Sequence, residues 1–345
     1  MPQPIHTVYG GAHLFRHDTA AKLASLALCA LEQHDDLIPT SPEILGRVER
    51  KLRCEAVEDF RIDFEDGYGY RSDDEEDHHA QAAAEHVRRG LEEGTLPPMM
   101  GIRIKSFHTA TRARAIRTLE LFFRSLGGKT PDDFAVCLPK ASTVEEVADF
   151  RQAVSNRGEQ LALELMVETP QALLALRDFV DAAGPSCRAV HFGPYDFTAA
   201  CGIVSSAQGL RHPLCDYARN TMLVALAGRN IWLSDGPTTV LPLGGREEVA
   251  RAWRLQWEDI QHALACGFFQ GWDLHPAQIP LRYAAVFSFF ESQLPVMKVR
   301  RDNFQRAQQQ ATRVGAAFED AATARGLENF FRWERFFPPS SVEDP

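Results

Sequence analysis

Short apolar runs separated by longer amphipathic stretches recur almost from end to end of this 345-residue chain, and that alternation limits what it can fold into. Runs at 6–15, 59–66, 99–106, 133–140, 161–168, 187–195, 229–235 and 267–273 have the length and composition of strands. The stretches between them carry helix signals. Residues 19–34 and 246–265 have helical periodicity; 142–157 opens on Ser142 or Thr143 as an N-cap with Glu145 and Glu146 close behind; 170–183 places Pro170 in its first turn. Eight strands alternating with helices predict an α/β chain closed into a (β/α)8 TIM barrel, with an open doubly wound sheet as the alternative.

The chain is expected to divide into a barrel over 1–296 and a C-terminal helical extension over 297–345. The extension is rich in Gln, Ala and Arg and then strongly aromatic. Phe330, Phe331, Trp333, Phe336 and Phe337 are too apolar to stay exposed, so they are expected to dock on the barrel or on a second subunit of a homo-oligomer. The last few residues are expected to be disordered. The acidic run DDEEDHH at 73–79 reads as the solvated first turn of a helix, where carboxylates favour the positive end of the dipole, rather than as a metal cluster.

Thirty-seven basic against 47 acidic residues leave a formal charge of −10, which argues against nucleic-acid and membrane-surface partners. The N-terminus lacks a signal-peptide pattern, and no apolar run reaches the roughly 18 residues of a membrane span. Seven scattered cysteines without a C-x-x-C argue for a reduced, cytoplasmic protein and against a zinc site.

Strands covered on both faces should be continuously hydrophobic, and several of these are not. In RIDFEDG, Asp63 and Glu65 share a face opposite Ile62 and Phe64; in GIRIKSF, Arg103 and Lys105 oppose Ile102 and Ile104; in LELMVET, Glu164 and Glu168 lie with Met166. Lys140 and Asp196 close two further runs. If the apolar faces pack on the outer helices, the charges point inward and must compensate one another, because an unpaired buried charge costs several kcal/mol. That reading sets Asp63, Glu65, Glu164 and Glu168 against Arg103, Lys105 and Lys140. Edge strands with one wet face are the alternative. Charges at C-terminal strand ends are also where barrel enzymes keep their chemistry.

Five segments, in order and in register over residues 59–280, resemble the HpcH/HpaI aldolase and citrate lyase β-subunit superfamily. DFEDGYG (63–69) is similar to its acidic strand end and GIRIK to its arginine strand. LMVETPQAL (165–173) resembles its metal-glutamate strand, HFGPYDFTAACGI (191–203) its metal-aspartate loop, and GFFQGWDLHPAQI (267–279) its His-Pro segment. Gly67-Tyr68-Gly69, Trp272-Asp273 and the VYGGAHLF opening depart from the usual pattern, which marks a divergent member whose substrate does not carry over.

The resemblance implies Glu168 and Asp196 as metal ligands, and two carboxylates with water and substrate oxygens suit Mg2+ or Mn2+. Ion pairing to Arg103 or Lys140 is the alternative. Arg103 offers a planar fork for a carboxylate or enolate oxygen, or serves as a structural partner of Glu65 or Glu164. Glu65 and Asp66 point to opposite faces in an extended strand, and either is a candidate acid/base. Lys105, Lys140, Gly193, Pro194 and Tyr195 are the candidate substrate-binding residues. His13 is a further pocket residue, and His275 either carries a proton or bonds its own loop.

The reaction implied is an aldol- or Claisen-type carbon–carbon lyase acting through a metal-stabilised enolate on a hydroxy or oxo acid or its acyl-CoA. Alternatives are a phosphoenolpyruvate/pyruvate-type barrel doing acyl or phosphoryl transfer, and a non-catalytic metabolite-binding protein.

Overall fold

The computed structural model describes residues 2–157, 161–310 and 321–334. Its elements run β1 (His6–Gly11), α1 (Thr19–His34), α2 (Pro42–Glu55), β2 (Asp59–Asp63), α3 (Asp73–Glu93), β3 (Met99–Arg103), α4 (Arg112–Leu126), β4 (Ala135–Leu138) and α5 (Val144–Ser155). They continue with β5 (Ala162–Val167), α6 (Pro170–Leu174), α7 (Leu176–Ala183), β6 (Cys187–Phe192), α8 (Pro194–Ala200), α9 (Pro213–Ala225), β7 (Trp232–Ser234), α10 (Arg246–Ala265), β8 (Gly271–Asp273), α11 (Ile279–Gln310) and α12 (Ala321–Glu334).

All eight strands are parallel, in the order β7-β6-β5-β4-β3-β2-β1-β8. A parallel bridge between Ser234 and Gln270 brings the two ends of the sheet together. The result is a nearly closed TIM-like barrel, and the open-sheet alternative falls. Every expected strand position holds a strand. Helix signals were equally literal: Thr143 caps α5 in a capping box with Glu146, and Thr169 caps α6 ahead of Pro170. Ser72 caps the acidic start of α3 through Glu75. Within that run Asp73 and Asp74 are exposed, but Glu76 is buried against Thr118 and Lys105.

The main core lies between barrel and helices. Phe60 and Ile62, Met100 and Ile102, Val136 and Leu138, Leu163 and Leu165, and Val190 and Phe192 turn outward into it and are buried. Fully burying such a side chain contributes roughly 1.5–3 kcal/mol. The intervening residues point into the barrel, as the two-residue period requires.

Strand β2 stops at Asp63, three residues before the expected end at 66. Phe64 N still donates to Arg103 O at 2.9 Å, but the Asp63 carboxylate accepts from Glu65 N (2.9 Å) and Gly67 N (2.7 Å) and turns the chain. Alternation therefore does not govern Glu65 and Asp66, and the expectation that they face opposite ways is corrected below.

Helix α11 runs unbroken through residue 296, with Pro295 inside it. Helix α12 returns against it: Trp333 stacks on Phe269 with centroids 4.7 Å apart, and Phe330 meets Phe290 at 5.4 Å. These two aromatics dock on their own chain. Phe336, Phe337 and the tail expected to be disordered lie outside the described residues. No helix among the described residues is long and apolar enough to cross a membrane.

Candidate active site

Two charge networks occupy the barrel axis, one closed and one open. The closed one centres on Arg61, which lies on the inward face of β2. Its Nε and Nη2 donate to the two oxygens of Glu164 at 2.8 and 2.6 Å, and Nη1 donates to Asp59. Arg188 Nη2 adds 2.8 Å to Glu164 Oε1, and His191 Nε2 lies 3.3 Å from Oε2. Burial by itself raises the Glu164 pKa, but the Arg61 and Arg188 guanidiniums and His191 hold it well below the usual carboxylate range. Glu164 is thus neutralised by Arg61, not by the Arg103, Lys105 and Lys140 expected from the sequence.

Above it, Tyr9, Cys137, Met166 and Trp272 form a small apolar cluster inside the barrel. The Arg103 guanidinium sits over the Tyr9 ring at 4.8 Å. Its Nε and Nη2 fork onto Asp63 at 2.8 and 2.5 Å. The fork foreseen for substrate is therefore occupied by Asp63. What remains toward the open end is Nη1, 3.4 Å from Glu65 Oε2 and 3.7 Å from Met166 Sδ.

The open network collects at the C-terminal strand ends. Lys140 Nζ lies 2.7 Å from Glu65 Oε1, 2.8 Å from Asp66 Oδ1 and 3.7 Å from Asp196 Oδ2. Glu65 and Asp66 thus converge on one ammonium rather than diverging. Lys140 is a non-glycine residue with φ 54°, a left-handed conformation that costs free energy and tends to occur at functional sites. That backbone turns Lys140 N to donate to Glu168 Oε2 at 2.8 Å.

Glu168 is buried, whereas Asp66 and Asp196 are about half exposed. One oxygen from each lies within 4.8 Å of the others. Gly193 makes this possible: a Cβ there would come 2.3 Å from Glu168 Cγ. Pro194 then starts α8, which carries Asp196 in its first turn. Burial pushes the Glu168 pKa up to about 8, with Arg103 and Lys140 opposing and Glu65 and Asp196 reinforcing the rise. Burial likewise raises Glu65 despite Arg103 and Lys140. For Asp66 burial works upward too, but bonds from Lys140 and Glu65 leave it lowered.

The remaining candidates lie elsewhere. Lys105 Nζ bonds Glu76 Oε2 at 2.7 Å and Phe64 O at 2.9 Å, so it anchors α3 instead of joining the inward network. Tyr195 OH donates to Pro237 O at 3.2 Å and accepts from Thr239 Oγ1, fastening the rim loop after β7. His275 Nδ1 accepts from Ala277 N, the loop-bonding alternative. His13 packs by its ring edge on Tyr68, 5.6 Å between centroids. Two acidic residues at other strand ends that were not candidates, Asp235 and Asp273, pair with Arg219 and Arg282.

A family described as "Domain of unknown function (DUF6986)" matches residues 1–334. No curated protein matches the chain in sequence. Solved structures do match its fold. A citrate lyase from Burkholderia xenovorans LB400 superposes with a TM-score of 0.67 at 22% identity, covering 97% of this chain and 93% of that one. Protein CitE from Mycobacterium tuberculosis, in complex with magnesium, acetoacetate and coenzyme A, gives 0.56 at 18% identity over 95% and 96%. The citrate lyase β subunit of M. tuberculosis, complexed with oxaloacetate and magnesium, gives 0.51 at 20% over 81% and 96%.

Proposed function

The chain belongs to the DUF6986 family, and we propose that it is a divalent-metal-dependent carbon–carbon lyase acting on a small hydroxy or oxo acid or its CoA thioester. The observation that carries this reading is the convergence of Asp66, Glu168 and Asp196 within 4.8 Å at the open end of a barrel. The donor set fits the ion. Three carboxylates with no nitrogen or sulfur donor match the all-oxygen preference of Mg2+, with Mn2+ close to it. Lys140 compensates part of the charge, but its ammonium reaches Glu65, Asp66 and Asp196 while Glu168 receives only the backbone N–H. The likeness to magnesium-containing lyase structures points the same way at the level of fold.

A divalent ion held by these carboxylates supplies Lewis acidity toward substrate oxygens. The chain's own residues do the rest. Glu65, partly buried between Arg103 and Lys140, takes the hydroxyl proton of the substrate. The carbon–carbon bond breaks as the carbonyl forms, and its electron pair passes to the acid fragment as an enolate, whose carbon then takes the proton back from Glu65. Arg103 Nη1 faces that developing oxyanion, with Asp63 holding the guanidinium rigid. Lys140 orients Glu65 and Asp66 and offers a counter-charge to the substrate carboxylate. Gly193 and Pro194 shape the rim.

Deuterium exchange into pyruvate, followed by NMR with and without Mg2+, tests this reading. Metal-dependent exchange that is lost in Glu65→Gln is expected. Binding of pyruvate without any exchange would instead support a metabolite-binding protein.

A further inference from the structure

A different group of metal-type side chains lies on the outside of the barrel. His262 and Cys266 are four residues apart at the C-terminal end of α10 and so share a face. Asp216 comes to them from the first turn of α9. We propose that Asp216, His262 and Cys266 form a second cation site, for a borderline-soft ion of the Zn2+ class, that joins α9 to α10 on either side of β7 in sequence.

One ligand atom from each residue lies within 4.8 Å of the other two. His262 Nε2 is 2.7 Å from Asp216 Oδ1, and Cys266 Sγ is 3.8 Å from His262 Nε2. Tetrahedral zinc, with Zn–N near ~2.0 Å and Zn–S near ~2.3 Å, sets its nitrogen and sulfur roughly 3.5 Å apart, so the pair stands nearly at ligand separation without the ion. All three residues are partly exposed, which gives the ion an entry path and leaves water the fourth position. A mixed nitrogen, sulfur and oxygen set selects against Mg2+ and separates this site chemically from the three carboxylates.

The opposing charge is Arg219, whose Nη1 lies 2.9 Å from Asp216 Oδ1. Its Nε and Nη2 are committed to Asp235 at 3.1 and 2.9 Å, and Nη2 also to Leu210 O. The buried Arg219–Asp235 pair is thus already compensated, and Asp216 offers a carboxylate oxygen within 4.8 Å of the other two ligand atoms. On binding, the Cys266 thiol gives its proton to water as the sulfur–metal bond forms, and the Nε2–H that His262 donates to Asp216 Oδ1 is released to water, the imidazole keeping its proton on Nδ1 and turning the Nε2 lone pair to the ion; no redox partner is needed. A search for C-x-x-C misses such a site because its ligands come from two helices.

Cobalt titration of the full-length protein in excess Mg2+ tests the proposal, since thiolate-to-cobalt charge transfer reports sulfur ligation alone. One equivalent should produce the band, Zn2+ should abolish it by displacement, and Cys266→Ser should not develop it. Zn2+ should also raise the Tm of the wild type and not of Cys266→Ser, whose metal-free Tm serves as the folding control. Absence of the band in the wild type, or an equal band in Cys266→Ser, overturns the site.

Discussion

Arg103 and Asp63 form a two-pronged buried pair, Nε to Oδ1 at 2.8 Å and Nη2 to Oδ2 at 2.5 Å, and the same carboxylate accepts the N–H groups of Glu65 and Gly67. One arginine thereby fixes the turn that carries Glu65 and Asp66 while aiming Nη1 at the open end of the barrel.

Arg103→Lys keeps a charge for Asp63 and loses the fork. We expect the Mg2+-dependent exchange rate to fall by about 10²–10³-fold, the scale of losing an oxyanion donor. The thermal melt should drop less than in Arg103→Met, which strands the Asp63 charge. Near-full turnover in Arg103→Lys contradicts the role given to Nη1.

The Arg61–Glu164 pair predicts how the barrel responds to acid. The pKa of Glu164 is held below its unfolded value, so the unfolded chain binds the proton first. Its contribution is complete above the unfolded pKa of roughly 4.3 and is lost as pH falls through the lower folded value. Glu164→Gln should cost about 3–5 kcal/mol at neutral pH, because Arg61 keeps only Asp59 and Arg188 loses its carboxylate partner. Its Tm should also decline less steeply below the unfolded pKa. Parallel acid limbs for the two proteins would rule this out.

Most of the fold was readable because strand and helix periods differ, and capping residues such as Thr143 and Thr169 mark where helices begin. The inward charges were readable too, since Asp63, Arg103 and Glu164 stand where parallel strands should be apolar. Which charge meets which was not. Arg61 stands two residues from Asp63 on the same face, yet pairing depends on barrel geometry that brings β2 opposite β5. Lys105 keeps the strand parity of Arg103, but β3 ends at Arg103 and the chain beyond turns Lys105 to Glu76. Asp66 joined Glu168 and Asp196 because Asp63 turns the chain, and nothing in the order of residues announces that turn. The left-handed backbone of Lys140 leaves no trace in the sequence either.

For Glu168 the sign is opposite to that of Glu164. Burial raises its folded pKa to about 8, so in chelator the folded state holds its proton more tightly than the unfolded chain. The stability this contributes is present at acid pH and fades as pH rises through 8. Glu168→Gln should therefore be more stable than the wild type at alkaline pH without metal, in thermal melts run with EDTA. A variant that is less stable there contradicts the account of its burial.

At the C-terminus, Trp333 covers Phe269, and Trp333→Ala should cost about 3–5 kcal/mol in denaturant unfolding, as large-to-small core changes do. The aromatic C-terminal helices also predict a homo-oligomer joined through them. Light scattering on the intact chain and on one ending at residue 296 tests it, with loss of the oligomer as the expected result. An unchanged state in both would confine the helices to an intramolecular role.

Titration calorimetry with Mg2+, with and without pyruvate, bears most directly on the three carboxylates. The wild type should bind one ion, more tightly when the oxo acid is present, and Glu168→Gln and Asp196→Asn should bind none while remaining folded. Failure of the wild type to bind Mg2+ or Mn2+ under either condition would remove the metal from the site and the proposed lyase chemistry with it.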